Sequence, residues 1–405
     1  MITDYLAEFA GMPVEDWTFA ESDEDEDEDD DDGEGSEGAR RFEFEEGTSS
    51  KFWEIALEGE SFTVRYGRIG TDGQSQTKDF DSEEKAEKEY NKLIQEKQKK
   101  GYKEVGGAGG TVSGAEAINP TSTIYRLGLT WEQEEENIEW TKLLSAYLNQ
   151  PGAKKTVGLV IGKWGNLCEE EDSDFVVEAL VEASDRLPNL KAIFLGDVLS
   201  EDCEISWIHQ SDVSPLFSAF PNLTYFGVRG SDQLSFGEFK HQKLETLIVE
   251  CGGLPRTVVE EILNSDLPQL KHLELYLGTE DYGADTTADD FKQLLAGSKF
   301  PKLKYLGLRN SEIADQLAEA LIGAPILERL DVLDLSLGTL GDEGCQRLLD
   351  NPAILKLKRL DVHHHYMSDE MKERLLKLPI EVDAADTQAA DEDEANKYRF
   401  VAVGE

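Results

Sequence analysis

An apolar skeleton of the form L-x-x-L-x-L recurs through the last two thirds of the chain. It occurs in PNLKAIFLG (188–196), PNLTYFGVRG (221–230), QKLETLIVECG (242–252), PQLKHLELYLG (268–278), PKLKYLGLRN (301–310), LERLDVLDLSLG (327–338) and LKLKRLDVHHH (355–365). The mean spacing is about 28 residues. KTVGLVIG, around Leu159 and Ile161, reads as an earlier unit and 380–383 as a last one. Between the strands, DSDFVVEALVEASDRL, DDFKQLLAGS, DQLAEALIGA and DEGCQRLLDN carry apolar residues at helical spacing. A strand and a helix in each short repeat predict an α/β leucine-rich solenoid over about 124–405. No single unit can bury its own apolar face, so units stack, with parallel strands on a concave side and helices on a convex side.

Strand alternation assigns the x positions to the concave face. They include Phe194, Tyr225, Arg229, Glu250, His272, Glu274, Tyr276, Tyr305, Arg309, Asp334, Asp361 and His363. Aromatic and arginine side chains on one exposed face suit a protein partner. An ordinary ladder of surface side chains is the competing reading.

Composition narrows the function. The 405 residues hold 85 Asp and Glu against 40 Lys and Arg, a formal charge of −45 and a pI near 4.4. That excludes a generally basic, nucleic-acid-coating protein, but not one small phosphate-contacting site. Eleven of the twelve residues in 21–32 are acidic. Such a block repels itself and cannot fold alone. Residues 106–123, rich in Gly, Ser and Ala, read as a flexible linker.

Between these two stretches, 42–105 reads as a small separate domain. KFWEIALEGESFTVRYGRIG gives two strands, with Phe52, Ile55 and Leu57, then Phe62, Val64 and Tyr66, near period two. Glu58, Gly59 and Glu60 form the turn. A third strand ends at Phe80, Asp81 or Ser82 caps a helix, and Gly101 stops it. From Lys85 to Lys103 seven Lys stand against three Glu, so the helix end is locally basic. Tyr66, Arg68, Lys92, Lys97, Lys99, Lys100 and Lys103 are the candidate nucleic-acid contacts. Arg can grip a phosphate with two parallel bonds, and a phenol ring can stack on a base. A salt-bridged Arg68 and a solvated run of lysines is the plainer reading.

Tyr66-Gly67-Arg68-Ile69-Gly70-Thr71, Gly73-Gln74, Phe80 and the closing 100–105 make this segment resemble the WGR domain. The resemblance implies a small twisted sheet with a helix, and the contact with DNA near strand breaks that the domain makes in poly(ADP-ribose) polymerases. Tyr66 stands where the motif has Trp. The rest of the chain resembles leucine-rich-repeat proteins of the ribonuclease-inhibitor type. More narrowly, it is similar to an uncharacterised bacterial cytoplasmic family, through 6–14, 194–197, 203–207, 335–344, 361–365 and the closing 398–404. That resemblance implies that 1–20 packs on the solenoid, with the acidic run, the WGR-like domain and the linker inserted after it.

Other chemistry is sparse. Cys168, Cys203, Cys251 and Cys345 lie far apart without a CxxC pair, and read as reduced thiols of a cytoplasmic protein. No stretch reaches the roughly 20 apolar residues of a membrane helix. His363, His364 and His365 invite a metal, with Asp361 and Asp334 in support, but alternation leaves only His363 and His365 on one face and no metal is expected. No GxSxG, P-loop, kinase or zincin motif is present, so no catalytic residue and no cofactor are expected. The sequence therefore points to a non-enzymatic adaptor. Its solenoid holds a protein partner and its WGR-like domain contacts nucleic acid; a scaffold that binds only protein is the alternative.

Overall fold

The computed structural model of the chain describes residues 12–17, 40–46, 49–58, 61–68, 74–80, 82, 85, 86, 88, 90, 92, 93, 97, 103–105, 118–168, 171–392 and 397–404. The acidic run at 21–32, Lys99, Lys100 and the linker up to 117 lie outside them. For Tyr66, Arg68 and Lys103 only the backbone is described. The chain divides into two compact units, Met1–Thr18 together with Gly114–Glu405, and Phe19–Ser113.

The larger unit is built on one parallel sheet of eleven strands. In order they are Val14–Asp16, Ile124–Leu127, Gly158–Ile161, Ala192–Leu195, Tyr225–Arg229, Thr246–Glu250, His272–Gly278, Tyr305–Ser311, Val332–Asp334, Arg359–Asp361 and Glu381–Asp383. Spatial order follows chain order, as a solenoid requires. The seven repeats of the skeleton are seven of these strands. Val14–Asp16 pairs with Ile124–Arg126, so strands from either side of the smaller unit are neighbours in this sheet.

One row of the register explains the repeat. Leu159, Ile193, Phe226, Leu247, Leu273, Leu306, Leu333 and Leu360 pair neighbour to neighbour, and all are fully buried. Burying each such side chain is worth about 1.5–3 kcal/mol, which a single unit could not collect alone. Helices Asp174–Glu182, Arg256–Asn264, Ala314–Ala320, Asp342–Leu349 and Asp369–Leu375 return the chain between strands. Each buries one face: Val176, Val177 and Leu180 in the first, Val258, Val259, Ile262 and Leu263 in the second. Ser368 starts the last helix by accepting from the Met371 N–H, the ordinary work of an N-cap.

The smaller unit is a five-stranded antiparallel sheet, ordered Gln74–Asp79, Ser61–Arg68, Ser49–Glu58, Arg40–Glu46 and Lys103–Val105. The hairpin closes where Glu58 faces Ser61. Trp53, Ile55, Phe62 and Tyr90 form the core, with Val64, Phe80 and Leu93 against it. Trp53 belongs to this core although the period-two reading passed over it. Tyr90 and Leu93 bring the helix onto the sheet, three residues apart on one face.

The thiols differ from expectation. Cys168 and Cys203 form a disulfide, with Cα atoms 5.9 Å apart, whereas Cys251 and Cys345 are buried free thiols. The first pair follow the adjacent strands that end at Ile161 and Leu195. A separation of 35 residues hides that proximity in the sequence. Burial pushes the Cys251 and Cys345 thiols up to about 12, so neither is poised as a nucleophile at neutral pH. Among the described residues, no helix is long and apolar enough to cross a membrane.

Candidate functional site

Each position beside the buried row falls in a second row on the opposite sheet face. It runs Asp16, Arg126, Val160, Phe194, Gly227, Ile248, Glu274, Gly307, Asp334, Asp361 and Asp383, neighbour to neighbour in register. This is the face that alternation assigns to the concave side. It is not the exposed face expected. Phe194, Tyr225, Glu250, Glu274, Tyr276, Arg309, Asp334 and Asp361 are all buried, and only Arg229, His272, Tyr305 and His363 keep partial exposure. The reason is packing of these side chains on one another and across glycines. A Cβ at Gly227 would collide with the Phe194 ring, and one at Gly307 would crowd Tyr305, Glu274 and Arg309.

Past the Asp16–Arg126 ion pair at its first edge, the first half of the face is apolar. Ile124, Val160, Ala192, Phe194, Tyr225 and Ile248 form one buried cluster, with Met12 and Val14 packed against it. The second half is a charged network. The Arg309 guanidinium donates to Glu274 (Nη1···Oε1 2.5 Å) and to Ser336 (Nε···Oγ 2.9 Å), and stands 3.3 Å from the Asp334 carboxylate. It also lies 5.1 Å from the Tyr276 ring centre, a cation–π distance. His272 stacks on Tyr305 at 3.8 Å and meets Glu274 at 3.0 Å. The Tyr305 hydroxyl donates to Asp334 at 2.6 Å. Arg359 bonds Asp361 (2.8 Å) and Asp383 (3.2 Å), and His363 Nδ1 lies 2.7 Å from Asp361. Arg229 joins Glu250 at 3.1 Å where the two halves meet.

Burial and pairing pull these carboxyls apart. Burial pushes Glu250 up to about 7, against the pull of Arg229. Burial also raises Asp334, with Arg309 opposing and Asp361 adding. In Glu274 burial is outweighed by the His272 hydrogen bond and Arg309, which hold the carboxyl below its ordinary value. In Asp361 burial is outweighed in the same way by His363 and Arg359. The Asp361 hydrogen bond raises His363 against burial.

Asp361, His363 and Asp383 present ligand atoms within 4.8 Å of one another. Arg359 already bonds two of these three side chains. His365 is not part of this group: it is buried, with Nε2 against the Ala384 carbonyl and Nδ1 accepting from the Met367 N–H. His364 faces Asp386. Reading the skeleton missed Arg359, Ser336 and Asp383. Carrying the alternation one step further, from Tyr305 through Val332 to Arg359, would have found the arginine.

In the smaller unit, Tyr66 faces Trp53 and Arg68 faces Lys51 across the hairpin. Lys103 pairs with Glu43 on the edge strand. Lys92 is exposed on the helix. The Lys97 ammonium sits 5.0 Å over the Trp53 ring, so this lysine has a partner within its own domain.

Residues 39–108 match the WGR domain family. Two Escherichia coli proteins are similar to the chain over 65 residues. One is the uncharacterised protein YfeS, 51% identical, and the other is protein YehF, 42% identical. The match takes in 16% of this chain and about a quarter of each relative. An internalin of Listeria monocytogenes is similar at 17% identity, over 60% of this chain and 57% of that one, with a TM-score of 0.31. A crystallised protein of Bacteroides fragilis is 36% identical, with a TM-score of 0.64, and the match covers 91% of this chain and all of that one. At that identity and coverage, the chain belongs to the family of this Bacteroides fragilis protein.

Proposed function

We propose that the protein is a non-enzymatic adaptor whose WGR domain contacts nucleic acid and whose solenoid holds a protein partner. The WGR match over 39–108 carries the nucleic-acid half. Arg68, at the end of a strand, and the basic stretch from Lys85 to Lys103 would supply the phosphate contacts. The solenoid half rests on the fold, which turns short repeats into one extended surface. A scaffold that binds only protein is the second reading, favoured by Tyr66 at the motif's Trp and by the charge of −45.

Fluorescence anisotropy of the full chain with nicked, blunt and single-stranded DNA at two salt concentrations tests the first reading. Binding should fall steeply with salt and weaken about tenfold or more in Arg68→Ala. No binding at low salt would leave the scaffold. In the same assay the acidic run at 21–32 should compete for Lys92, Lys97, Lys99, Lys100 and Lys103. Deleting 21–40 should therefore tighten binding, and unchanged affinity would reduce the run to a spacer. A cytoplasmic location belongs to this proposal. The Cys168–Cys203 disulfide bears against it, because reducing compartments keep such pairs open. Trapping free thiols in intact cells decides the point.

A further inference from the structure

The last residues of the chain do not end beside the last repeat. They run back across the strand ends and following loops of earlier ones. Phe400 exchanges hydrogen bonds with the Tyr366 hydroxyl, both at 2.9 Å. The Ala402 N–H donates to the Leu337 carbonyl at 2.8 Å. The Asn310 carboxamide brackets Val403, accepting its N–H at 2.9 Å and donating to its carbonyl at 2.5 Å. Ser206 donates to the Gly404 carbonyl at 2.5 Å. Asn310, Leu337 and His364 occupy equivalent corners in successive repeats, and each has a positive φ, of 50°, 65° and 56°. A left-handed leucine costs about 1–2 kcal/mol, and this one turns its carbonyl to the strap.

The solenoid also leaves room for the strap. Neither Gly252 nor Gly341 has a positive φ, so the backbone does not require glycine at either place. A Cβ at Gly252 would collide with Ser206 and the Gly404 carbonyl, and one at Gly341 with the Arg399 guanidinium. Arg399 enters a cavity of about 720 Å³, where it bonds Asp315 at 2.9 Å and the Thr339 carbonyl at 3.0 Å. The same cavity is lined by Glu280, Glu312, Glu319 and Glu343, with Arg347 as the other cation. Five carboxylates thus face two guanidiniums. Burial, then Glu280 and Asp281, raise the Glu312 carboxyl, as expected where acid outnumbers base.

We propose that this groove is a docking site for an extended, arginine-containing segment of a partner protein, and that residues 399–404 are its resident occupant in cis. The proposal rests on the solenoid half of the adaptor reading and is independent of the nucleic-acid half. Six of the contacts go to main-chain groups of the strap, which any extended peptide offers. The acidic cavity supplies selectivity, because a segment with more positive charge than the strap complements it better. The strap therefore sets a threshold that a partner must exceed.

The test uses the full chain and two fluorescein-labelled octapeptides. One has the sequence of 397–404 and the other adds Val401→Arg. In a chain carrying Arg399→Ala and Val403→Pro, which removes the guanidinium and the N–H that Asn310 accepts, both peptides should bind at least tenfold tighter than to the unaltered chain. The extra arginine should add several-fold at low salt, an advantage that shrinks as salt rises. Adding Gly252→Val should abolish binding. On the unaltered chain, excess of the arginine-enriched peptide should speed amide exchange at Ala402 and Val403 at least tenfold, a measurement that does not depend on the variants folding. The proposal is overturned if exchange stays slow under excess peptide, or if the folded double variant exposes its strap and binds neither peptide. The strap would then be a fixed closure. The DNA titration reads the other unit, so failure here leaves the nucleic-acid reading standing.

Discussion

The two halves of the second sheet row have the same backbone and opposite chemistry. Phe194 and Glu274 occupy equivalent register positions, two strands between them, and both are fully buried. Phe194 is held by Val160, Tyr225 and Ile248. Glu274 is held by Arg309 and His272. An apolar side chain gains by leaving water, whereas a carboxylate loses several kcal/mol and recovers it only if every partner is in place. The solenoid fixes where a side chain goes. It does not fix whether that place is stabilising or conditional. The apolar half should therefore tolerate loss by degrees, and the charged half should fail one partner at a time.

The largest effects should come from removing one member of each half. Phe194→Ala should cost about 3–5 kcal/mol in urea unfolding, nearly independent of pH and salt. Arg309→Met should cost a similar 3–5 kcal/mol, because Glu274 and Asp334 stay buried without their cation. The halves part company on rescue. Adding Glu274→Gln and Asp334→Asn to Arg309→Met should recover much of the loss, since no uncompensated charge then remains. No rescue would mean that the network acts through shape, like the apolar half.

Glu250 stands where the halves meet, and its effect should be somewhat smaller. Burial raises its folded carboxyl from the ordinary 4.5 to about 7. Between those values the folded state keeps a proton that the unfolded state has released. Stability therefore falls as pH rises from 4.5 to 7, by up to about 3 kcal/mol, and levels off above. Glu250→Gln should flatten that decline. A decline of unchanged slope would show that Arg229 keeps Glu250 ionised throughout. Gly227→Ala comes next, at about 1–3 kcal/mol, because its Cβ would press into the Phe194 ring.

The solenoid was legible because its signal repeats. Leu273, Leu306, Leu333 and Leu360 announce the same position in successive units, so each confirms the others. The fate of the opposite face was not legible, because alternation tells which side of a strand a residue takes and not how crowded that side is. Glu274 and Tyr305 read as surface residues until Gly307 between them is seen to let them lie flat. The Cys168–Cys203 pair was hidden for a related reason. Adjacency between repeats is a property of the stack, and two cysteines 35 residues apart carry no local mark of it. The strap was the least legible part. Residues 399–404 lie against Asn310 and Ser206, far back along the chain, and no periodicity links them.

His363 should give the smallest effect and the sharpest reading of the charged half. It keeps partial exposure, and its imidazole lies 2.7 Å from Asp361. The Asp361 hydrogen bond raises the folded-state pKa of the ring above its ordinary 6.5. The resulting stabilisation is fully present below 6.5 and is lost as pH rises through the raised value. Asp361 behaves in the opposite sense: its depressed carboxyl contributes above the ordinary 3.8 and ceases to contribute as pH falls through the folded value. His363→Gln should therefore cost less than about 1 kcal/mol at pH 5.5 and almost nothing at pH 8.5. Urea unfolding at the two pH values separates charge from geometry. A cost that persists at pH 8.5 would make the neutral hydrogen bond, not the ion pair, the stabilising contact. The edge of the charged half would then behave like the apolar half, with contacts that survive the loss of charge.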